Sequence, residues 1–192
     1  MMKFAACIEY DGSQFYGWQR LSHAPTVQEA VEHALIKVAA EPIAVTCAGR
    51  TDTGVHGIGQ IIHFETAAIR PERGWLFGTN VNLPDGVSMR WIQPVADDFH
   101  ARFSAYARRS RYIILNREAR PALLQKRVYW QHNRLDVDAM HAAGQVLLGE
   151  QDFSSFRAAG CQARHAIREM TELRVSRDRD FVYVDIVANA FL

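Results

Sequence analysis

Apolar and polar residues alternate from Lys3 to Tyr10, with Phe4, Ala6 and Ile8 on one face and Cys7 and Glu9 on the other, the period-two pattern of a strand. Asp11-Gly12-Ser13 then turns the chain. The period changes after Thr26, where Val27, Ala30, Val31, Ala34, Leu35 and Val38 recur at helical intervals. Thr26 and Glu29 have the spacing of a capping box, so a helix is predicted from Thr26 to about Ala40. Two strands, Ile43 to Cys47 and Gln60 to Phe64, flank a glycine-dense connection. A second helix is predicted from Pro71 to Val81, and a strand from Val87 to Val95. The order β-α-β-β-α-β is that of the ferredoxin-like arrangement, in which one sheet carries both helices on one face.

A second copy of this order begins near His100. Ser110 to Asn116 reads as a strand, and Asp136 or Asp138 can cap a helix whose apolar positions are Val137, Met140, Gly144, Leu147 and Leu148 and which Gly149 ends. Strands follow at Ile167 to Val175 and Phe181 to Ala188. The chain then stops on Ala188-Asn189-Ala190-Phe191-Leu192, where the first copy has a helix and a strand still to come. The predicted fold class is therefore α+β, two ferredoxin-like βαββαβ-type halves with antiparallel or mixed sheets. The expected domains are 1–99, carrying the glycine-dense loop, and 100–192, missing its last helix and strand as in a truncated form of a longer protein.

Composition narrows the class. With 48% hydrophobic and 22% charged residues among 192, the chain matches ordinary globular proteins rather than disordered or fibrous ones. Its apolar runs are too short for the roughly 20 residues of a membrane span, and Met1-Met2-Lys3-Phe4 enters a strand without a cleavage site. Cys7, Cys47 and Cys161 are odd in number and lack Cys-x-x-Cys spacing, which argues against a disulfide framework and points to a reducing cytoplasm. The net charge of +1 says little, but 19 of the 22 basic residues are arginine, the planar fork that suits phosphate and base edges. Between His100 and Arg127, Arg102, Arg108, Arg109, Arg111, Arg117, Arg120, Lys126 and Arg127 face a single acid, Glu118. That excess makes an anion such as a nucleic-acid backbone the candidate ligand, against the alternative of a solvated arginine-rich face.

The chemistry concentrates in Cys47-Ala48-Gly49-Arg50-Thr51-Asp52-Thr53-Gly54-Val55-His56-Gly57-Ile58-Gly59-Gln60, four glycines with an arginine, an aspartate and a histidine between two strands. Glycine permits positive φ and close approach, so this loop is shaped for contact. Arg50 and Asp52 lie two residues apart, on one side of an extended chain. A guanidinium beside a carboxylate favours the ionised form that a nucleophile requires. The plainer alternative is an Asx-turn at Asp52 and a surface ion pair at Arg50. No Gly-Lys-Ser/Thr follows, so the loop is not a P-loop, and the spacing of His56 and His63 matches no compact metal-ligand pattern. No metal site is expected. Phe15, Tyr16 and Trp18 either pack the rim of the loop or stack on bases.

Gly49-Arg50-Thr51-Asp52-Thr53-Gly54-Val55-His56 closely resembles the catalytic motif of the TruA family of tRNA pseudouridine synthases. The resemblance continues through Tyr10-Asp11-Gly12-Ser13-Gln14-Phe15-Tyr16-Gly17-Trp18-Gln19, Phe99-His100-Ala101-Arg102-Phe103-Ser104-Ala105, Arg111-Tyr112 and Gly149-Glu150-Gln151-Asp152-Phe153-Ser154-Ser155-Phe156, and so covers essentially the whole chain. It implies isomerisation of uridines at positions 38, 39 and/or 40 of the tRNA anticodon arm, without cofactor, by a cytoplasmic homodimer. Asp52 then matches the catalytic carboxylate, Tyr112 the tyrosine that stacks on a flipped-out uracil, and Arg50 the residue that holds the flipped nucleotide's place. Arg102, Arg108, Arg109 and Arg111 become candidate RNA-backbone contacts. The family continues beyond Leu192 with a His-His-Met-Val-Arg segment whose arginine approaches the catalytic aspartate, so the 192-residue chain is expected to have low or no activity. A noncatalytic RNA-binding module on the same fold is the competing expectation.

Overall fold

A computed structural model of the chain describes residues 1–157 and 165–192, so Cys161 lies outside the described residues. The chain divides into two units, Met1–Ala105 and Tyr106–Leu192.

In the first unit, β1 (Met2–Tyr10) is the buried central strand, apolar from Phe4 to Ile8 on both faces. Helix α1 (Val27–Ala39) starts at Thr26, whose hydroxyl accepts the Glu29 N–H at 3.4 Å, and ends with Ala40 in the left-handed region. Strand β2 is only Thr46–Cys47, shorter than its apolar pattern predicts. The reason lies in α1. The Val45 N–H donates to the carboxylate of Glu32 at 2.9 Å instead of to a strand, and Glu32, 2% exposed, also accepts from Gln28 and pairs with Arg20. A buried carboxylate is tolerated because it is paired and hydrogen-bonded.

Strand β3 (Gly57–Thr66), helix α2 (Glu72–Asn82, behind Pro71) and strand β4 (Val87–Pro94) complete the unit. The sheet order β2-β3-β1-β4 with every pair antiparallel is the ferredoxin-like order predicted. Ala6 faces Ile62 on one side and Ile92 on the other. Phe4, Phe64 and Trp75 meet with ring centroids 5.5 to 5.8 Å apart, joining α2 to the sheet.

The second unit holds β5 (Arg108–Asn116), β6 (Tyr129–Gln131), α3 (Val137–Gly144), β7 (Gly149–Asp152), β8 (Ile167–Asp178) and β9 (Phe181–Ala188). Their order is β6-β5-β9-β8-β7, and only the β5–β6 pair is parallel. With β9 between β5 and β8, the path β5-α3-β8-β9 repeats the first four elements of the other half in the same order. Asp136 rather than Asp138 caps α3, accepting the Ala139 N–H at 2.9 Å. The helix ends earlier than its apolar pattern suggests, because Gly144 sits against Leu173 and Gln145 turns to donate to the Leu173 carbonyl. Gly149, with φ +86°, opens β7 rather than ending the helix. The unforeseen β6 is held by buried Asn116, which donates to the carbonyls of Gln131 and Asn133 and accepts from Leu135 and Arg177. A buried amide used on both its oxygen and its nitrogen can organise a loop without repeated apolar signals. Among the described residues, no helix is long and apolar enough to cross a membrane.

Candidate active site

The loop from Ala48 to His56 leaves β2 and returns as β3. Its base is closed by the Ala48 N–H on the Ile61 carbonyl at 2.8 Å, and by the Gln60 side chain, which accepts from the Gly49 N–H and donates to the Gly49 carbonyl. Its middle is tied to the segment that follows β1. Trp18 N–H donates to the Thr51 carbonyl at 2.9 Å, and the Tyr10 and Thr51 hydroxyls are 2.8 Å apart. His56 Nδ1 lies 3.1 Å from the Asp11 carboxylate, which also accepts from the amide and hydroxyl of Ser13.

Two glycines make that docking possible. A Cβ on Gly12 would sit 2.0 Å from the Val55 carbonyl oxygen, and one on Gly17, at φ +88°, 2.8 Å from that of Thr51. Backbone therefore lies directly on backbone, a contact only glycine admits. Trp18 and Phe15 are buried and Trp18 packs on Tyr10 at 5.9 Å, so both belong to the support of the loop, whereas Tyr16 is exposed.

Arg50 and Asp52 both stand exposed on this pinned loop. The tight turn after Asp52 is closed by main chain, the Val55 N–H on the Asp52 carbonyl at 3.1 Å. The turn thus uses the peptide oxygen as its acceptor, and Asp52 is exposed to solvent. His63 is structural: it is buried and accepts the Ala101 N–H on Nδ1 at 3.1 Å. Burial, with His100 and Lys3 nearby, lowers its pKa from the ordinary histidine value, which keeps that nitrogen an acceptor. Among the described residues no three His, Cys, Asp or Glu side chains gather as metal ligands.

The second unit carries Tyr112 and most of the arginine-rich stretch. Tyr112 is 55% exposed and its ring lies 6.2 Å from that of Tyr129. Arg108 donates to the Asn189 carbonyl, Arg109 holds Glu172 through two hydrogen bonds, and Arg111 holds Asp185 at 2.7 and 2.9 Å while lying over the Tyr183 ring. These three guanidiniums therefore serve the β5-β9-β8 sheet, and for Arg109 and Arg111 the local sequence hides that role because the acids come from distant strands. Arg102, in the first unit, instead lies beside the Phe103 ring.

Asp185 is 6% exposed, and the hydrogen bonds from Arg111 hold its carboxyl below the ordinary carboxylate pKa although burial opposes this. The unfolded chain binds that proton more tightly, so the stabilisation is present at neutral pH and is lost as pH falls through about 3.9 toward the lower folded value. Asp185→Asn is expected to destabilise the protein by about 1–2 kcal/mol at pH 7, a figure reduced for the half-exposed Arg111. The urea midpoint of Asp185→Asn should also fall less steeply below about pH 5 than that of the wild type. An identical acid limb in both proteins would remove Asp185 as its source.

A family model described as tRNA pseudouridine synthase matches residues 6–104 and 143–192. The chain is 56% identical over 192 residues to tRNA pseudouridine synthase A of Hydrogenovibrio crunogenus, covering all of this chain and 73% of that protein. The chain belongs to the tRNA pseudouridine synthase family. Other members include tRNA pseudouridine synthase A of Shewanella amazonensis, 55% identical over 191 residues with 73% of it covered, and that of Shigella boydii, 56% identical over 190 residues with 70% of it covered. The family resemblance carried by Gly49–His56 is thereby established. Within this tRNA pseudouridine synthase chain, Arg50, Asp52 and Arg102 lie in the segments matched by the family model, whereas Arg108, Arg109, Arg111 and Tyr112 fall between them.

Proposed function

We propose that the full gene product carrying this chain converts uridine to pseudouridine in tRNA, at positions 38, 39 and/or 40 of the anticodon arm, with Asp52 as the catalytic carboxylate. The observation that carries the reading is an exposed aspartate on a loop pinned by main-chain bonds at Ala48, Thr51 and Val55. Pre-organisation of this kind keeps a reacting group in place without cost at the moment of reaction. The isomerisation breaks the N1–C1′ bond and forms C5–C1′. The C5 proton departs and N1 gains one, so no electrons enter or leave.

In this reading the target nucleotide is flipped out, Arg50 holds its place in the helix, and Tyr112 supplies the aromatic face on which the uracil stacks. Arg102, Arg108, Arg109 and Arg111 lend positive charge to RNA binding, and the affinity accordingly falls as salt rises. A cytoplasmic homodimer, with catalytic chemistry in residues 1–99, completes the proposal. Carbodiimide labelling and primer extension on an unmodified tRNA transcript, incubated with the full gene product, test it. Stops at the anticodon arm are expected; tRNA binding without any stops would establish the noncatalytic module instead.

A further inference from the structure

The turn after β4 builds a column of rings that leads from the core of the first unit to solvent. His63 is buried in β3, the His100 ring lies 4.6 Å from it, and the Phe103 ring stacks on His100 at 4.2 Å with 24° between planes. The column is fixed at every level. Ala101 N–H donates to His63 Nδ1 and Phe103 N–H to His100 Nδ1 at 3.2 Å, while Ser104 closes the turn on His100 through both its amide and its hydroxyl. Lys3 of β1 ties down the approach to the turn by donating to the carbonyls of Asp97 and Phe99. At the outer end Phe103 is 77% exposed, with the Arg102 guanidinium 5.8 Å from its ring centre.

An exposed phenylalanine is costly in water and is ordinarily free to collapse onto the surface. Here the backbone and the histidine beneath hold the ring out, next to a cation. We propose that Phe103 is a stacking platform for an unpaired base of the tRNA, with Arg102 contacting a phosphate of the same nucleotide segment. This inference rests on the tRNA reading above and adds to it a binding element outside the Asp52 loop. An aromatic face beside a guanidinium matches a nucleotide, which presents a flat π-surface and an anion together. A purely apolar protein partner has no use for the arginine.

The test is equilibrium binding of an unmodified tRNA transcript to the full gene product and its Phe103→Leu, Phe103→Trp and Arg102→Ala variants, across a salt series. Phe103→Leu keeps apolar bulk but loses the π-face, and is expected to bind about tenfold more weakly with an unchanged salt slope. Phe103→Trp should bind at least as tightly as the wild type. Arg102→Ala should lower the salt slope by about 0.7–0.9, the loss of one phosphate contact. Wild-type affinity in Phe103→Leu overturns the platform. A loss of affinity that accompanies a change of sedimentation coefficient also overturns it, by making Phe103 a protein-contact residue. If the wild type binds no tRNA, the proposed function and the platform fall together; if it binds and Phe103→Leu binds equally, only the platform falls.

Discussion

Replacing Asp52 by asparagine is expected to abolish pseudouridine formation while leaving the tRNA bound. Asparagine keeps the size of the side chain and removes only the anionic oxygen. The neighbouring turn survives the change because its acceptor is the Asp52 peptide carbonyl, bonded to the Val55 N–H, and the loop keeps its anchors at Ala48 and Thr51. Loss of a reacting carboxylate with the surrounding site intact lowers the rate by on the order of 10⁴-fold or more. Affinity should stay within a few-fold or tighten slightly, since a negative charge leaves an exposed position where phosphates approach. Single-turnover carbodiimide mapping gives the rate and filter binding the affinity on the same tRNA. A variant that retains a tenth of the wild-type rate would strip Asp52 of its role. A joint loss of rate and affinity would point to a binding contact rather than to chemistry.

The same loop shows how far the sequence could be read. Gly49-Arg50-Thr51-Asp52-Thr53-Gly54-Val55-His56 is contiguous, so its family resemblance could be seen directly. Elements with a long period, β1, α1 and β4, were legible for the same reason: each writes its burial into its own residues. What the sequence concealed depends on residues far apart. The Tyr10 to Thr51 hydrogen bond spans 41 positions, and Arg109 and Arg111 meet their acids 63 and 74 positions away. Ile43 to Val45 carries a strand pattern but its amide belongs to Glu32, a charged residue on a helix whose buried face is otherwise apolar. The Gln28–Glu32 pair at helical spacing, next to a predicted strand, is the one local sign of that arrangement. Strand β3 extends through Gly57 to Gly59, where Gly57 pairs with Tyr10 beyond a register shift and the glycines leave no side-chain pattern.

Gly12→Ala is the complementary experiment, since it moves the loop and leaves every loop residue in place. A Cβ at Gly12 meets the carbonyl oxygen, carbon and nitrogen of Val55 at 2.0, 2.4 and 3.0 Å, all backbone atoms that cannot rotate away. Relief requires the turn after β1 or the loop to shift by on the order of 1 Å, and a displacement of that size at a reacting group costs about 10²-fold in rate. We expect kcat to fall by about 10²-fold, with a loss of about 1–3 kcal/mol in stability from overpacking. Gly149→Ala separates conformational strain from displacement. Gly149 has φ +86° and nothing within 4 Å of an added Cβ, so that variant pays only the left-handed cost of about 1–2 kcal/mol. No neighbouring atom is displaced, so its kcat should match that of the wild type. Urea titration sets the stability of both variants, and turnover measured well below the midpoint compares their folded forms. If folded Gly12→Ala turns over at the wild-type rate, the close packing of Gly12 on Val55 serves folding alone, and the position of Asp52 must be set by the bonds at Ala48 and Thr51.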